Sequence, residues 1–148
     1  LNASISNVFA NACYRLGHSM LSSDIALGVH GRKIPLRDAF FVPNLVIYNG
    51  IDPFLSGLTT QVMQNIDTTV VEDVRSFLFG PPNPQQQILL DLPAINIQRG
   101  RDHGLPDYNQ CRIDLGLTSY TSFAEITSDN QLQQKLENVY SDINNIDP

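Results

Sequence analysis

Two stretches of this 148-residue chain gather the residue types that can hold a charged, planar ligand. The first, FANACYRLGHSML from Phe9 to Leu21, carries Arg15, Gly17 and His18. The second, INIQRGRDHGLPDYNQCR from Ile95 to Arg112, carries Asn96, Arg99, Arg101, His103 and Arg112, in a chain where charged residues make up only 16%. A solvated helix face would draw on Lys and Glu. Arginine instead presents a planar fork that meets carboxylates and phosphates through paired hydrogen bonds. On a helix Arg15 and His18 share a face, and Gly17 leaves room beside them for something flat and bulky. Asn96, Arg99 and His103, at i, i+3 and i+7, also share a face. Together with apolar flanks, these two groups suit a planar cofactor bearing carboxylates. Haem is such a molecule, with an iron that takes a nitrogen ligand and propionates that pair with arginine.

Each residue also has a plainer reading. A single histidine on an apolar helix is most often a packed residue with its hydrogen bonds satisfied. Asn96 alone reads as a buried amide with backbone partners. Arg101, Asp102 and His103 read as structural, with Asp102 pairing an arginine and His103 serving the last carbonyls and the dipole of its helix. Tyr108, Asn109 and Cys111 read as packing. A zinc site from His18, His30 and His103 has no supporting spacing.

The elements that must position these residues follow from the apolar pattern. Ser6 to about Leu21 has helical periodicity, with Ser6 as N-cap. GRKIPLRDAFFVPN, broken by Gly31, Pro35 and Pro43, reads as a loop with one short helical turn. A short apolar piece meets Asn49-Gly50, and a brief helix starts near Asp52-Pro53. Val70, Val74, Phe77 and Leu78 sit at helical spacing, ended by Gly80 and Pro81, and PPNPQQQ reads as a loop. For LDLPAINIQRGRDHG the signals agree on a helix: Asp91 caps it, Pro93 fits its first turn, Gly104 ends it and Pro106 forbids continuation. SFAEIT and NQLQQKLENVYS add two helical segments. The expected fold class is all-α: one mainly helical domain with irregular connections and no internal repeat.

Composition sets outer limits. A hydrophobic content of 42% reads as globular, and a net charge of −6 argues against nucleic acid or anionic membrane surfaces as partners. No apolar run reaches membrane-spanning length. Cys13 and Cys111 lack metal-type spacing and leave the redox compartment open. Asn2-Ala3-Ser4 is a glycosylation sequon. The chain opens on Leu1 rather than Met, which raises the expectation of a fragment.

FANACYRLGHSML together with LDLPAINIQRGRDHGLPDYNQCR resembles the animal-type haem peroxidase family, within the peroxidase–cyclooxygenase superfamily. The resemblance extends through PLRDAFF, GIDPFLSGL and FLFG to NNIDP. It implies haem b as cofactor, hydrogen peroxide and a small reductant as reaction partners, and a secreted location. It implies that His18 is the proximal ligand to the iron and that Asn96 accepts the proton-bearing Nδ1 of that histidine. Arg15 matches a residue that pairs with a propionate, and Arg99 is a second propionate or scaffold contact.

The family's distal histidine and arginine, the acidic residues that esterify haem and the calcium loop have no counterpart in this sequence, since only seventeen residues precede His18. Residues 1–148 are therefore expected to be a single partial domain, the proximal haem-side segment, inactive on its own. A peroxidase-like structural or adhesion module without catalysis is the alternative. The cyclooxygenase branch needs a tyrosine three residues before the proximal histidine. Arg15 holds that place and Tyr14 lies one step off, which favours the peroxidase branch.

Overall fold

The computed structural model describes residues 3–76, 78 and 90–148. Asn2 of the sequon, Phe77, the Gly80-Pro81 stop and the PPNPQQQ loop lie outside these residues. The described chain is mainly helical, as the sequence pattern predicts, and gathers into two compact units: Arg15–Ile95, and Leu1–Tyr14 with Asn96–Pro148.

The predicted first helix is divided. Helix α1 covers only Asn7–Asn11, and a 3-10 helix, Cys13–His18, follows. Ser6 caps α1 as expected, its hydroxyl accepting from Phe9 N at 3.2 Å. The α-helix stops after Asn11, whose side chain folds back to donate to Asn7 O at 3.2 Å and to Asn7 Oδ1 at 2.6 Å. Gly17 weakens any continuation.

In the unit Arg15–Ile95, the segment expected to be a loop contains strand β2, Lys33–Pro35, paired antiparallel with β1, Asp24–Ala26, and Ile25 stands opposite Ile34. The expected short helical turn follows at Leu36–Asp38. The outer edge of β1 is closed by one side chain. Gln61 Oε1 accepts from Ala26 N at 3.0 Å, and its Nε2 donates to Asp24 O at 2.5 Å, so the carboxamide stands in for the peptide group of a third strand. The apolar piece before Gly50 is helix α2, Asn44–Asn49, and α3, Asp52–Leu58, begins with Pro53 in its first turn. Gly57 of α3 lies so close to β1 that a β-carbon there would overlap the Ala26 carbonyl. Helix α4, Glu72–Ser76, places Val74 in a core with Leu36 and Leu92, lined by Ile25, Phe40, Val70, Val71 and Leu78. Beside it the buried Asp73 carboxylate lies 2.7 Å from Arg37 Nε. The two groups form an ion pair whose carboxylate end is almost wholly buried.

Helix α5, Leu92–Asp102, has the ends that its sequence specifies. Asp91 Oδ1 accepts from Ala94 N at 3.0 Å. Gly104 takes the left-handed conformation, φ 66°, and Leu105 N reaches back to Gly100 O at 3.1 Å, the hydrogen bond of a Schellman motif. In the unit that holds the rest of the chain, α6, Tyr108–Asp114, is capped by Asp107, and α7, Asn130–Tyr140, by Asp129. SFAEIT supplies a 3-10 turn, Phe123–Glu125, and a second such turn covers Ile143–Asn145. Buried Asn109 organises this region: its Nδ2 donates to Tyr120 O at 2.8 Å and Asn144 Oδ1 at 2.9 Å, and its Oδ1 accepts from Tyr120 N at 2.8 Å.

Two outcomes follow from these contacts. Alanine favours a helix over glycine by about 1 kcal/mol, yet Gly57→Ala should destabilise the chain by about 1–3 kcal/mol because the added carbon meets a backbone carbonyl. Denaturant unfolding measures this, and a stabilised variant would mean that α3 can withdraw from β1. The second outcome concerns the tail. Hydrogen bonds from Arg101 hold the Asp147 carboxyl below its ordinary range, with a further bond from Tyr140 acting the same way against the opposing effect of burial. A lowered folded-state value contributes stability that is present above the ordinary carboxylate range and lost as pH falls through the lowered one. Asp147→Asn should therefore flatten the acid limb of the stability–pH curve below about pH 4. An unchanged acid limb would count against the tie.

Candidate functional site

The first stretch places Arg15 and His18 on the Cys13–His18 3-10 helix. With three residues per turn, positions i and i+3 eclipse. The two side chains therefore leave from one edge, more closely aligned than the α-helix expected from the sequence would make them. Both residues are half-buried. Between them Gly17 is exposed, and a β-carbon built on it would meet nothing within 4 Å. Exposed apolar side chains flank this edge, Tyr14 at 69% and Leu16 at 51% of full accessibility. One turn thus offers an imidazole, a guanidinium and an unfilled space beside apolar surface.

The second stretch divides its labour. Arg99 Nη2 donates to Asn96 Oδ1 at 2.6 Å, so two of the predicted site residues are bonded to each other across one turn of α5. Arg99 Nε is buried and has no hydrogen-bond partner among the described residues. A guanidinium that pairs through one nitrogen and keeps a buried N–H unspent is poised for an acceptor, since such a group costs about 1–3 kcal/mol when left unpaired.

The other charged residues of this stretch serve the scaffold. Arg101 does read a carboxylate with its fork, as its residue type suggested, but the carboxylate belongs to this chain: Nε and Nη2 meet Asp147 at 2.9 and 2.7 Å. Tyr140 Oη donates to the same carboxylate at 3.0 Å. Asp102, expected to pair with an arginine, accepts instead from Gln98 Nε2 at 2.8 Å. Arg112 donates from Nε to Thr118 O at 2.8 Å and lies 3.8 Å from the centre of the Tyr120 ring, a cation–π contact. His103 lies past the last residue of α5, where its carbonyl accepts from Asn7 Nδ2 at 3.3 Å. Its Nδ1 lies 3.1 Å from Asn7 Oδ1 and 3.4 Å from Asn11 Nδ2.

Sequence reasoning missed Asn7 and Asn11 as the partners of His103. Their spacing at i and i+4 on a helix was the available signal, and it gives no hint of a residue so far along the chain. Asn109 and Cys111 are buried, consistent with packing. Among the described residues no group of three His, Cys, Asp or Glu side chains is placed to hold a metal ion, so the three-histidine zinc alternative has no geometric support. Among them, too, no helix is long and apolar enough to cross a membrane.

Known proteins resemble this chain in sequence and in backbone. The family profile for animal haem peroxidase matches residues 1–148. Peroxinectin A of Dictyostelium discoideum is 37% identical over 99% of the chain, which spans 28% of that protein. Human eosinophil peroxidase is 36% identical over 97% of the chain, which spans 21% of it. The solved structure of peroxidase A from Dictyostelium discoideum superposes with a TM-score of 0.88 at 37% identity, covering 99% of this chain and 29% of that one. The chain thus spans less than a third of the length of each of these relatives. With the profile matched from the first residue to the last, the chain belongs to the animal haem peroxidase family.

Proposed function

We propose that residues 1–148 form the proximal, haem-side segment of a longer haem peroxidase domain, with His18 as axial ligand to the iron, and that the complete protein reduces hydrogen peroxide while oxidising a small donor. The observation that carries this reading is the edge formed by Arg15, Gly17 and His18, where an imidazole, a guanidinium and open space at the glycine occur within one turn. The unspent Arg99 Nε adds a second carboxylate-seeking group. The residues present fit haem.

Haem, when bound, supplies a redox-active iron for peroxide reduction. His18 would ligate as the neutral imidazole through one ring nitrogen and donate the proton on the other to Asn96 Oδ1. That hydrogen bond fixes the tautomer and makes the ligand a stronger electron donor. Asn96 Oδ1 already accepts from Arg99, and an amide oxygen has a second lone pair for His18. Arg15 and Arg99 would neutralise the propionates. The distal proton shuttle, the calcium site and any covalent link to haem belong, in this reading, to residues outside 1–148, as does the choice of donor. A location outside the cell accompanies the same reading.

Two variants of the complete protein test these assignments. His18→Ala should abolish stable haem coordination, seen as loss of the Soret band and a changed low-temperature EPR spectrum of ferric haem. An EPR spectrum identical to the parent's would remove His18 as ligand. Asn96→Ala removes the acceptor of Arg99 Nη2 and, in this reading, of the His18 ring proton, at a cost of about 1–3 kcal/mol. It should retain haem while raising the Fe(III)/Fe(II) potential, because the ligand donates less. A potential equal to the parent's would assign the His18 proton to another acceptor.

A further inference from the structure

We propose that Cys13 and Cys111 form a peroxide-responsive thiol pair that closes to an intramolecular disulfide, fastening the start of the Cys13–His18 turn to α6. The two residues lie far apart in sequence but line one cavity of about 300 Å³, together with Val8, Phe9 and Leu115. Both are free thiols in this structure, Cys13 exposed and Cys111 buried.

Their surroundings give them different tasks. Burial pushes the Cys111 thiol up, with the charges of Asp114 and Asp107 acting in the same direction. A negative charge on Cys13, across the cavity they share, would act in the same direction. Cys111 is therefore shielded and held as the thiol. Cys13 is the group a soluble oxidant reaches first, and accessibility with thiolate character governs which cysteine oxidises.

The chemistry balances with a hydroperoxide as oxidant. The Cys13 thiolate attacks one peroxide oxygen, the O–O bond breaks, and hydrogen peroxide leaves a sulfenic acid and hydroxide. Cys111 sulfur then displaces the sulfenic oxygen as the S–S bond forms. Its proton and that hydroxyl leave as water, while the first hydroxide is neutralised by the proton that Cys13 released. In sum, two thiols and one hydrogen peroxide give one disulfide and two waters. None of this requires haem, so the inference stands or falls apart from the assignment of His18.

The test titrates the haem-free chain with hydrogen peroxide, alkylates remaining thiols under denaturing conditions and digests with trypsin. Cleavage after Arg15, Arg101 and Arg112 puts Cys13 and Cys111 on separate peptides, so a joined pair is diagnostic. The linked pair should be the main product at stoichiometric peroxide. It should disappear on reduction and be absent from Cys13→Ser, whose exposed position makes it the variant least able to disturb folding. It should also form about tenfold faster in the native chain than in urea, because the fold holds the sulfurs together. Three results would overturn the proposal: Cys13 carried to sulfinic acid with Cys111 still alkylated, a dimer joined through Cys13, or equal rates of closure in the native and unfolded chain.

Discussion

The contacts among Asn7, Asn11 and His103 are the constraint on which the arrangement of the first stretch depends. A helix of five residues has no independent stability, because nucleation costs more than so few hydrogen bonds return. Helix α1 persists because Ser6 satisfies its start and because Asn7 engages both the carbonyl and the ring of His103, just past the end of α5. The Cys13–His18 turn begins where α1 stops, so its starting point inherits that anchoring. His103, expected to serve the last carbonyls of its own helix, instead turns its ring to Asn7 and Asn11 of α1.

The same logic recurs elsewhere. The fully buried apolar residues are few, and the chain keeps its shape largely through amide and guanidinium side chains that serve backbone groups or single carboxylates. Asn109 holds the α6 region to Tyr120 and Asn144, Arg101 holds Asp147, and Gln61 holds the hairpin. Such bonds contribute modestly when made, but cost much when a buried group loses its partner. This fits the reading of Arg101, Asp102 and His103 as scaffold residues beside Asn96 and Arg99. Most of the charge in that stretch is committed to the fold, and among the described residues Arg99 alone of its arginines keeps a buried nitrogen without a partner.

Legibility in the sequence tracked how local the determinants are. Helix α5 could be read to its ends because Asp91, Pro93, Gly104 and Pro106 act within a turn of where they stand. The β1–β2 hairpin could not, because each strand has three residues, too few for alternation to show, and its stability comes from pairing and from the distant Gln61. The division of the first helix was hidden for a related reason: apolar periodicity is nearly the same for α and 3-10 turns over so short a run. For the candidate site, residue types and spacing drew attention to Arg15 and His18 and to Asn96, Arg99 and His103, and the family resemblance supplied the roles expected of the first four. They could not show that Asn96 and Arg99 are bonded to each other, nor that Arg101 is spent on a residue at the far end of the chain.

The Gln61 carboxamide on the edge of β1 has a consequence for how the chain behaves in a crowd. A two-stranded ribbon has two open rims, and each is a template on which a stranger's backbone can crystallise. Gln61 covers one rim with a side chain too short to propagate the ladder. The other rim is β2, where Pro35 has no amide proton to offer and Lys33 adds a charge. Neither side can seed a growing fibril, so the hairpin can remain small and near the surface without becoming the point at which separate molecules zip together.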